Sequence, residues 1–251
     1  MDPMVKPWGL AGMDVSNDGE CMTDYILPPP PVVAAPVHGG GLFPVRRIFC
    51  VGKNYADHVR EMGGDPKDTP PVFFTKPADA IVTEGGVPFP QATDNLHYEG
   101  ELVIALKSGG RDIASRGAAG ATIFGQAAGC DLTRRDHQAR AKEAGNPWDT
   151  AKAFDHSAPI GPIARIEDFP PDRFDDARLV TRVNGETRQD GALADMIWTV
   201  PEIIMALSRQ FELKAGDLIF TGTPEGVGPL APGDTVTVEI GALPVLSFSM
   251  S

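Results

Sequence analysis

The stretch His97-Tyr-Glu-Gly-Glu-Leu-Val-Ile-Ala-Leu106 begins in polar and apolar alternation and ends in an apolar run. That is the pattern of a strand entering a protein interior. Residues two apart on a strand share a face, so Glu99 and Glu101 point the same way. Two carboxylates this close repel each other, and burial raises the cost unless a cation sits between them. Asp131 closes the next apolar stretch, which runs from Ile123, and would complete a triad of oxygen donors. Such a set suits Mg2+, with Mn2+ or Ca2+ as alternatives, and suits zinc poorly. A bare Glu-x-Glu also occurs on solvated outer faces, so the neighbouring residues must weigh in.

Upstream, Asn54-Tyr-Ala-Asp-His-Val-Arg-Glu61 sets His58 and Glu61 three residues apart, adjacent on one face of a short helix. A carboxylate beside imidazole fixes its tautomer and raises its basicity, which is how a water-activating base is commonly assembled. A surface His/Glu pair has the same spacing. Downstream, Lys152 lies in the apolar setting Ala151-Lys-Ala-Phe154, which suits an ammonium held near an anion. His97, in register with the two glutamates, is a candidate fourth ligand or a supporting residue.

The 251 residues carry 22 basic and 34 acidic side chains, a net charge of −12 that argues against nucleic acid or an anionic membrane as a partner and suits a divalent cation. Three cysteines form no CxxC pair and read as thiols in a reducing compartment. No apolar run is long enough to span a bilayer and the start lacks a signal-peptide pattern, so the expected location is cytoplasmic. With 28 Gly and 24 Pro, the chain is rich in turns, which excludes long helical bundles.

Several elements are readable. Strands are expected at 46–51, 72–75, 97–106, 217–220 and 235–240, and a type I′ hairpin at Asn184-Gly185. A short helix is expected from Tyr55 to Met62. Another would start at Thr133 as N-cap, with Asp136 three residues on, and stop at Gly145. The longest helix runs from Thr199, with a Thr199/Glu202 capping box. The fold class is therefore α+β, mostly β. Residues 1–43, with PPPP at 28–31 and GGG at 39–41, read as a partly disordered extension, and 44–251 as one catalytic domain.

Seven segments in order resemble the fumarylacetoacetate hydrolase family, in the short bacterial branch that includes acylpyruvases and fumarylpyruvate hydrolases. They are CVGKNYADHVREMG (50–63), FFTKPADA (73–80), HYEGEL (97–102), GCDLTRRDHQ (129–138), AKAFDHSAPIGP (151–162), GDLIFTGTPEGVG (216–228) and PGDTV (232–236). The resemblance implies the family's mixed β-sandwich roll with a few peripheral helices. It implies that Glu99, Glu101 and Asp131 hold the metal, that His58 and Glu61 activate water, and that Lys152 stabilises developing negative charge. It further implies that Lys76, Arg135, Gln138 and Thr223 face substrate. The expected activity is hydrolysis of the C–C bond of an acylpyruvate, foremost fumarylpyruvate to fumarate and pyruvate in aromatic (gentisate) catabolism, by a homodimer. Decarboxylation of oxaloacetate or a related 2-oxo diacid, isomerisation of an unsaturated 2-oxo diacid, and a non-catalytic metal-binding scaffold are the alternatives. The glycine-rich 222–228 segment lacks GK[ST] and GxGxxG, so it reads as a tight loop whose N–H groups approach a small anion.

Overall fold

The computed structural model describes residues 13–15, 21–23, 25–56, 71–169 and 177–251. The chain forms two compact units, Met1–Val32 and Val33–Ser251. The first contains an antiparallel pair, Met13–Val15 with Cys21–Thr23. The second contains everything that bears on the site. Its first strands, Ala34–Pro36 and Leu42–Pro44, form a hairpin in which Ala35 and Phe43 are buried.

Two sheets face each other across a core. One has six strands in the order Ala164–Arg165, Ile123–Cys130, Gly100–Leu106, Asp217–Phe220, Arg47–Gly52 and Val72–Lys76. It is mixed, because Asp217–Phe220 runs parallel to Arg47–Gly52 while its other pairs are antiparallel. The other sheet orders Glu186–Ala192, Arg178–Val183, Thr235–Ile240, Leu246–Met250 and Gly86–Val87. The hairpin turn at Asn184 and Gly185 has φ of 53° and 82°, the paired positive values that a type I′ turn requires.

Every residue of Gly100–Leu106 is buried, so this strand is covered on both faces. Its alternation distributes the cover. Leu102, Ile104 and Leu106 join Leu179, Val236, Val238 and Ile240 of the second sheet, together with Ile203, Ile204 and Leu207 of the Val200–Gln210 helix. Val103 and Ala105 face the other way, onto Ile48, Cys50, Phe220 and the 34–44 hairpin. Glu99 and Glu101 share that second parity. The helix opens as expected at Thr199, whose N–H and hydroxyl both donate to Glu202 Oε2.

Two expectations need amendment. The 97–106 strand is two: Leu96–Tyr98 belongs to a small three-stranded sheet, and the chain changes sheets at Glu99. Gly100 permits this passage, since a Cβ there would lie 2.1 Å from Thr181 Oγ1. The helix after Asp131 spans Arg135–Ala144, with Arg134 at the N-cap position, and Thr133 sits in a two-residue strand instead. Its hydroxyl is drawn into the polar cluster described below. Gly145 does end that helix, in the left-handed conformation at φ 67°. The helix expected at 55–62 lies, from residue 57 on, outside the described residues.

Candidate metal centre and active site

The register of the central pair assembles the carboxylates. Gly100 pairs with Cys130 and Glu101 with Gly129, so Glu99 and Asp131 lie opposite each other just past the ladder. The Asp131 N–H donates to the Glu99 carbonyl at 2.8 Å, which continues the pairing by one step. Antiparallel pairing thus brings side chains 32 positions apart in sequence onto one face. Gly129, opposite Glu101, leaves room for Val103 and Phe220, because a Cβ there would be 2.4 Å from Val103 Cγ2 and 2.8 Å from the Phe220 ring. All three carboxylates are buried, and one ligand oxygen from each lies within 4.8 Å of the others.

Cations line this cluster. Lys152, at the end of the short Asp149–Lys152 helix, donates from Nζ to Glu99 Oε2 at 2.7 Å, Asp131 Oδ2 at 2.6 Å and Thr133 Oγ1 at 2.6 Å. Lys76, the last residue of its strand, is fully buried and places Nζ 2.8 Å from Asp131 Oδ1, with the Leu132 and Lys152 carbonyls as acceptors. Arg135 reaches Glu99 Oε1 at 2.5 Å through Nη2 and Gln138 Oε1 at 2.6 Å through Nη1. Burial works against the Lys152 ammonium, but the charges of Asp131 and Glu99 outweigh it and hold the group above its ordinary value. Burial pushes the Glu101 carboxyl up, and the charges of Asp131 and Glu99 add to the push, against the N–H of Gly222. That N–H donates to Glu101 Oε2 at 2.8 Å. The anion approached by the 222–228 loop is therefore a carboxylate of the protein itself.

This donor set fits a divalent ion. It is all oxygen, and Asp131 Oδ1 is buried without a hydrogen bond of good geometry, although the Lys76 ammonium is near. His97 is not part of the triad: its Nε2 meets Asn95 Oδ1 at 2.8 Å, and Arg135 Nε lies 3.4 Å from its Nδ1. Burial, reinforced by Arg135, lowers its pKa to about 4, so it is neutral at physiological pH. Thr223 is buried and accepts from Gln189 Nε2 at 2.8 Å. A cavity of about 470 Å³ adjoins Lys152 and is walled by Phe74, Trp148, Asn146 and Asp149. His58 and Glu61 lie outside the described residues.

Residues 47–250 match the family model described as fumarylacetoacetate hydrolase, C-terminal. The chain belongs to that family. As a fumarylacetoacetate hydrolase family enzyme it shares the expected fold, mostly strands with few helices and with sheets that do not close into a barrel. A fumarylpyruvate hydrolase from Pseudomonas aeruginosa, solved in complex with Mn2+ and pyruvate, superposes with a TM-score of 0.87 at 45% identity, covering 90% of this chain and 99% of that one. An oxaloacetate tautomerase of Escherichia coli is 41% identical over 197 residues, 78% of this chain and 89% of the relative. The mitochondrial oxaloacetate tautomerase of Homo sapiens is 40% identical over 208 residues, 82% and 91% of the respective lengths. Among the described residues, no helix is long and apolar enough to cross a membrane.

Sequence reasoning missed two contributors, the Thr133 hydroxyl under Lys152 and Asn54, and it expected the 222–228 N–H groups to approach an anion without identifying Glu101 as that anion. Asn54 Nδ2 donates to the Thr221 and Trp198 carbonyls at 2.7 and 3.1 Å, tying the KNY segment to the loop that supports Glu101. Asn54 stood inside a matching segment, which was the available signal; the direction of a hydroxyl such as that of Thr133 leaves none.

The raised Glu101 carboxyl has a pH consequence. A group pushed up holds its proton into a range where an ordinary carboxyl is ionised, whereas a metal needs the carboxylate. Metal affinity is therefore expected to fall as pH drops, beginning above the range in which an ordinary carboxyl titrates, with protons released on binding. Calorimetric Mn2+ titrations in buffers of different ionisation enthalpy check this, and an affinity independent of pH would contradict it.

Proposed function

We propose that this chain is a divalent-metal-dependent acylpyruvate hydrolase, with fumarylpyruvate as its substrate and fumarate and pyruvate as products. The observation that carries the reading is the buried Glu99, Glu101 and Asp131 triad, with Lys152 bridging Glu99 to Asp131 and lining an aromatic-walled cavity. Its similarity to a fumarylpyruvate hydrolase over nearly the full length of both chains supports it.

In this reading Glu99, Glu101 and Asp131 hold Mg2+ or Mn2+. The bound ion supplies Lewis-acid polarisation of the 2-oxo acid end of the substrate. His58, oriented by Glu61, takes a proton from the water that attacks the distal carbonyl. The bond between that carbonyl carbon and C3 of the pyruvate moiety breaks, its electron pair passes to C3, and protonation there releases pyruvate. Lys152 stabilises the negative charge that develops during attack; removing a donor of this kind costs about 100-fold or more in rate. Lys76, Arg135, Gln138 and Thr223 orient the substrate. A dianionic substrate gives these cations a purpose in a chain of net charge −12. The protein acts in the cytoplasm as a homodimer.

A second reading has an observation of its own, because the Escherichia coli and Homo sapiens relatives are oxaloacetate tautomerases. Tautomerisation moves a proton between C3 and the 2-oxo oxygen of a similar dianion and consumes no water. A panel of fumarylpyruvate, acetylpyruvate and oxaloacetate with Mg2+ or Mn2+, with products identified, separates the two. Turnover confined to keto–enol exchange or decarboxylation of oxaloacetate would overturn the hydrolase reading. Within that reading, His58→Ala is expected to lower hydrolysis by about 100-fold or more while Mn2+ binding stays intact. Equal loss of both would remove the role of His58 as base.

A further inference from the structure

Gln189 is 1% exposed in a strand, Glu186–Ala192, whose neighbouring residues 186–188 and 190 are exposed. A register shift turns it inward: Thr181 pairs with Gln189 but Arg182 with Thr187, leaving Arg188 as the extra residue of a bulge. There its amide joins two parts of the site. Oε1 accepts the N–H of Gly100 at 2.9 Å, the residue between Glu99 and Glu101. Nε2 donates to Thr223 Oγ1 at 2.8 Å and to the Pro224 carbonyl at 2.9 Å. The loop bearing Thr223 lies directly on this strand, since a Cβ on Gly226 would be 2.2 Å from the Arg188 carbonyl oxygen.

These partners allow the amide only one orientation. Reversed, its NH2 would face the Gly100 N–H, donor against donor, and its oxygen would face the Pro224 carbonyl, acceptor against acceptor. Nε2 therefore gives a hydrogen to Thr223, and the Thr223 O–H has to donate elsewhere. Among the described residues, the hydrogen bond that the Thr223 hydroxyl makes is the one it accepts from Gln189. Gly222, the residue before it, donates its N–H to Glu101.

We propose that Gln189 is a positioning residue that presents the Thr223 hydroxyl as a hydrogen-bond donor to an anionic oxygen of the bound 2-oxo acid. The proposal rests on the reading that places substrate at Thr223. Gln189→Glu tests it nearly isosterically. The carboxylate still accepts from Gly100 but now takes the Thr223 O–H, turning it away from substrate.

The readout is pyruvate binding to the Mn2+-loaded protein, alongside KM and kcat. Gln189→Glu and Thr223→Val should each weaken pyruvate binding and raise KM by about 10-fold or more, the scale of a hydrogen bond to a charged group. Mn2+ affinity and kcat should change much less, and Thr223→Ser should restore binding. In a Thr223→Val background, Gln189→Glu should add no more than about twofold, because the two act through one hydroxyl. Additive losses, or unchanged pyruvate affinity in Thr223→Val, would overturn the proposal. If Gln189→Glu loses Mn2+ binding, Gln189→Met takes its place. It removes the donor without adding an acceptor and must weaken pyruvate binding less than Thr223→Val does; an equal or larger loss overturns the proposal. Pyruvate binding that follows this pattern in a chain unable to hydrolyse fumarylpyruvate would retain the positioning role and reject the reaction. Failure of the unmodified chain to bind pyruvate would reject both.

Discussion

Glu101→Gln is expected to abolish metal-dependent turnover while making the metal-free protein more stable. The two effects have one cause. Glu101 is buried between two other carboxylates, and the Gly222 N–H is its closest compensation. The substitution removes the repulsion that the ionised form meets and keeps an oxygen to accept that N–H, so a gain of about 1–2 kcal/mol in urea unfolding of the metal-free protein is expected at a pH high enough to ionise Glu101, and little gain where Glu101 already holds its proton. A metal loses a charged ligand. Its affinity should fall by more than the 10–100-fold that changes to supporting residues cost. Unchanged Mn2+ affinity in a folded Glu101→Gln protein would remove Glu101 from the metal site.

Lys152→Met should act in the opposite direction on stability. The Lys152 ammonium bridges Glu99 and Asp131 and is itself buried, so removing it leaves carboxylates without that partner in a site of low polarity. Breaking a buried ion pair from one side costs about 3–5 kcal/mol. Denaturant unfolding without metal measures that loss. Saturating Mn2+ should recover much of it, because the ion supplies positive charge to the same oxygens. A variant as stable as the parent without metal would show that Lys76 and Arg135 neutralise the triad by themselves.

The opposite signs of these two predictions follow from register, which no local pattern encodes. Glu99, Glu101 and Lys152 were legible individually: a repeated carboxylate on a strand, and a lysine among apolar neighbours. Their juxtaposition came from the Gly100–Cys130 pairing, which sets Asp131 opposite Glu99. Thr133 shows where local reasoning fails. Its spacing to Asp136 resembles a capping box, yet its hydroxyl meets the Lys152 ammonium and the helix begins two residues later. A buried ammonium that needs oxygen acceptors outweighs the preference of a threonine for a helix end.

The sequence by itself determined the mostly β class, the Asn184-Gly185 turn, the Thr199 helix start and the three carboxylates. These follow from side-chain periodicity and backbone preferences acting over a few residues. Only the tertiary structure decided that the 97–106 stretch divides between two sheets at Glu99, that Lys152 and Lys76 both reach Asp131, and that Gln189 meets Gly100 and Thr223. Those outcomes depend on strand register, a bulge and the direction of an amide. They are fixed by requiring every buried polar group to find a partner across distant parts of the chain.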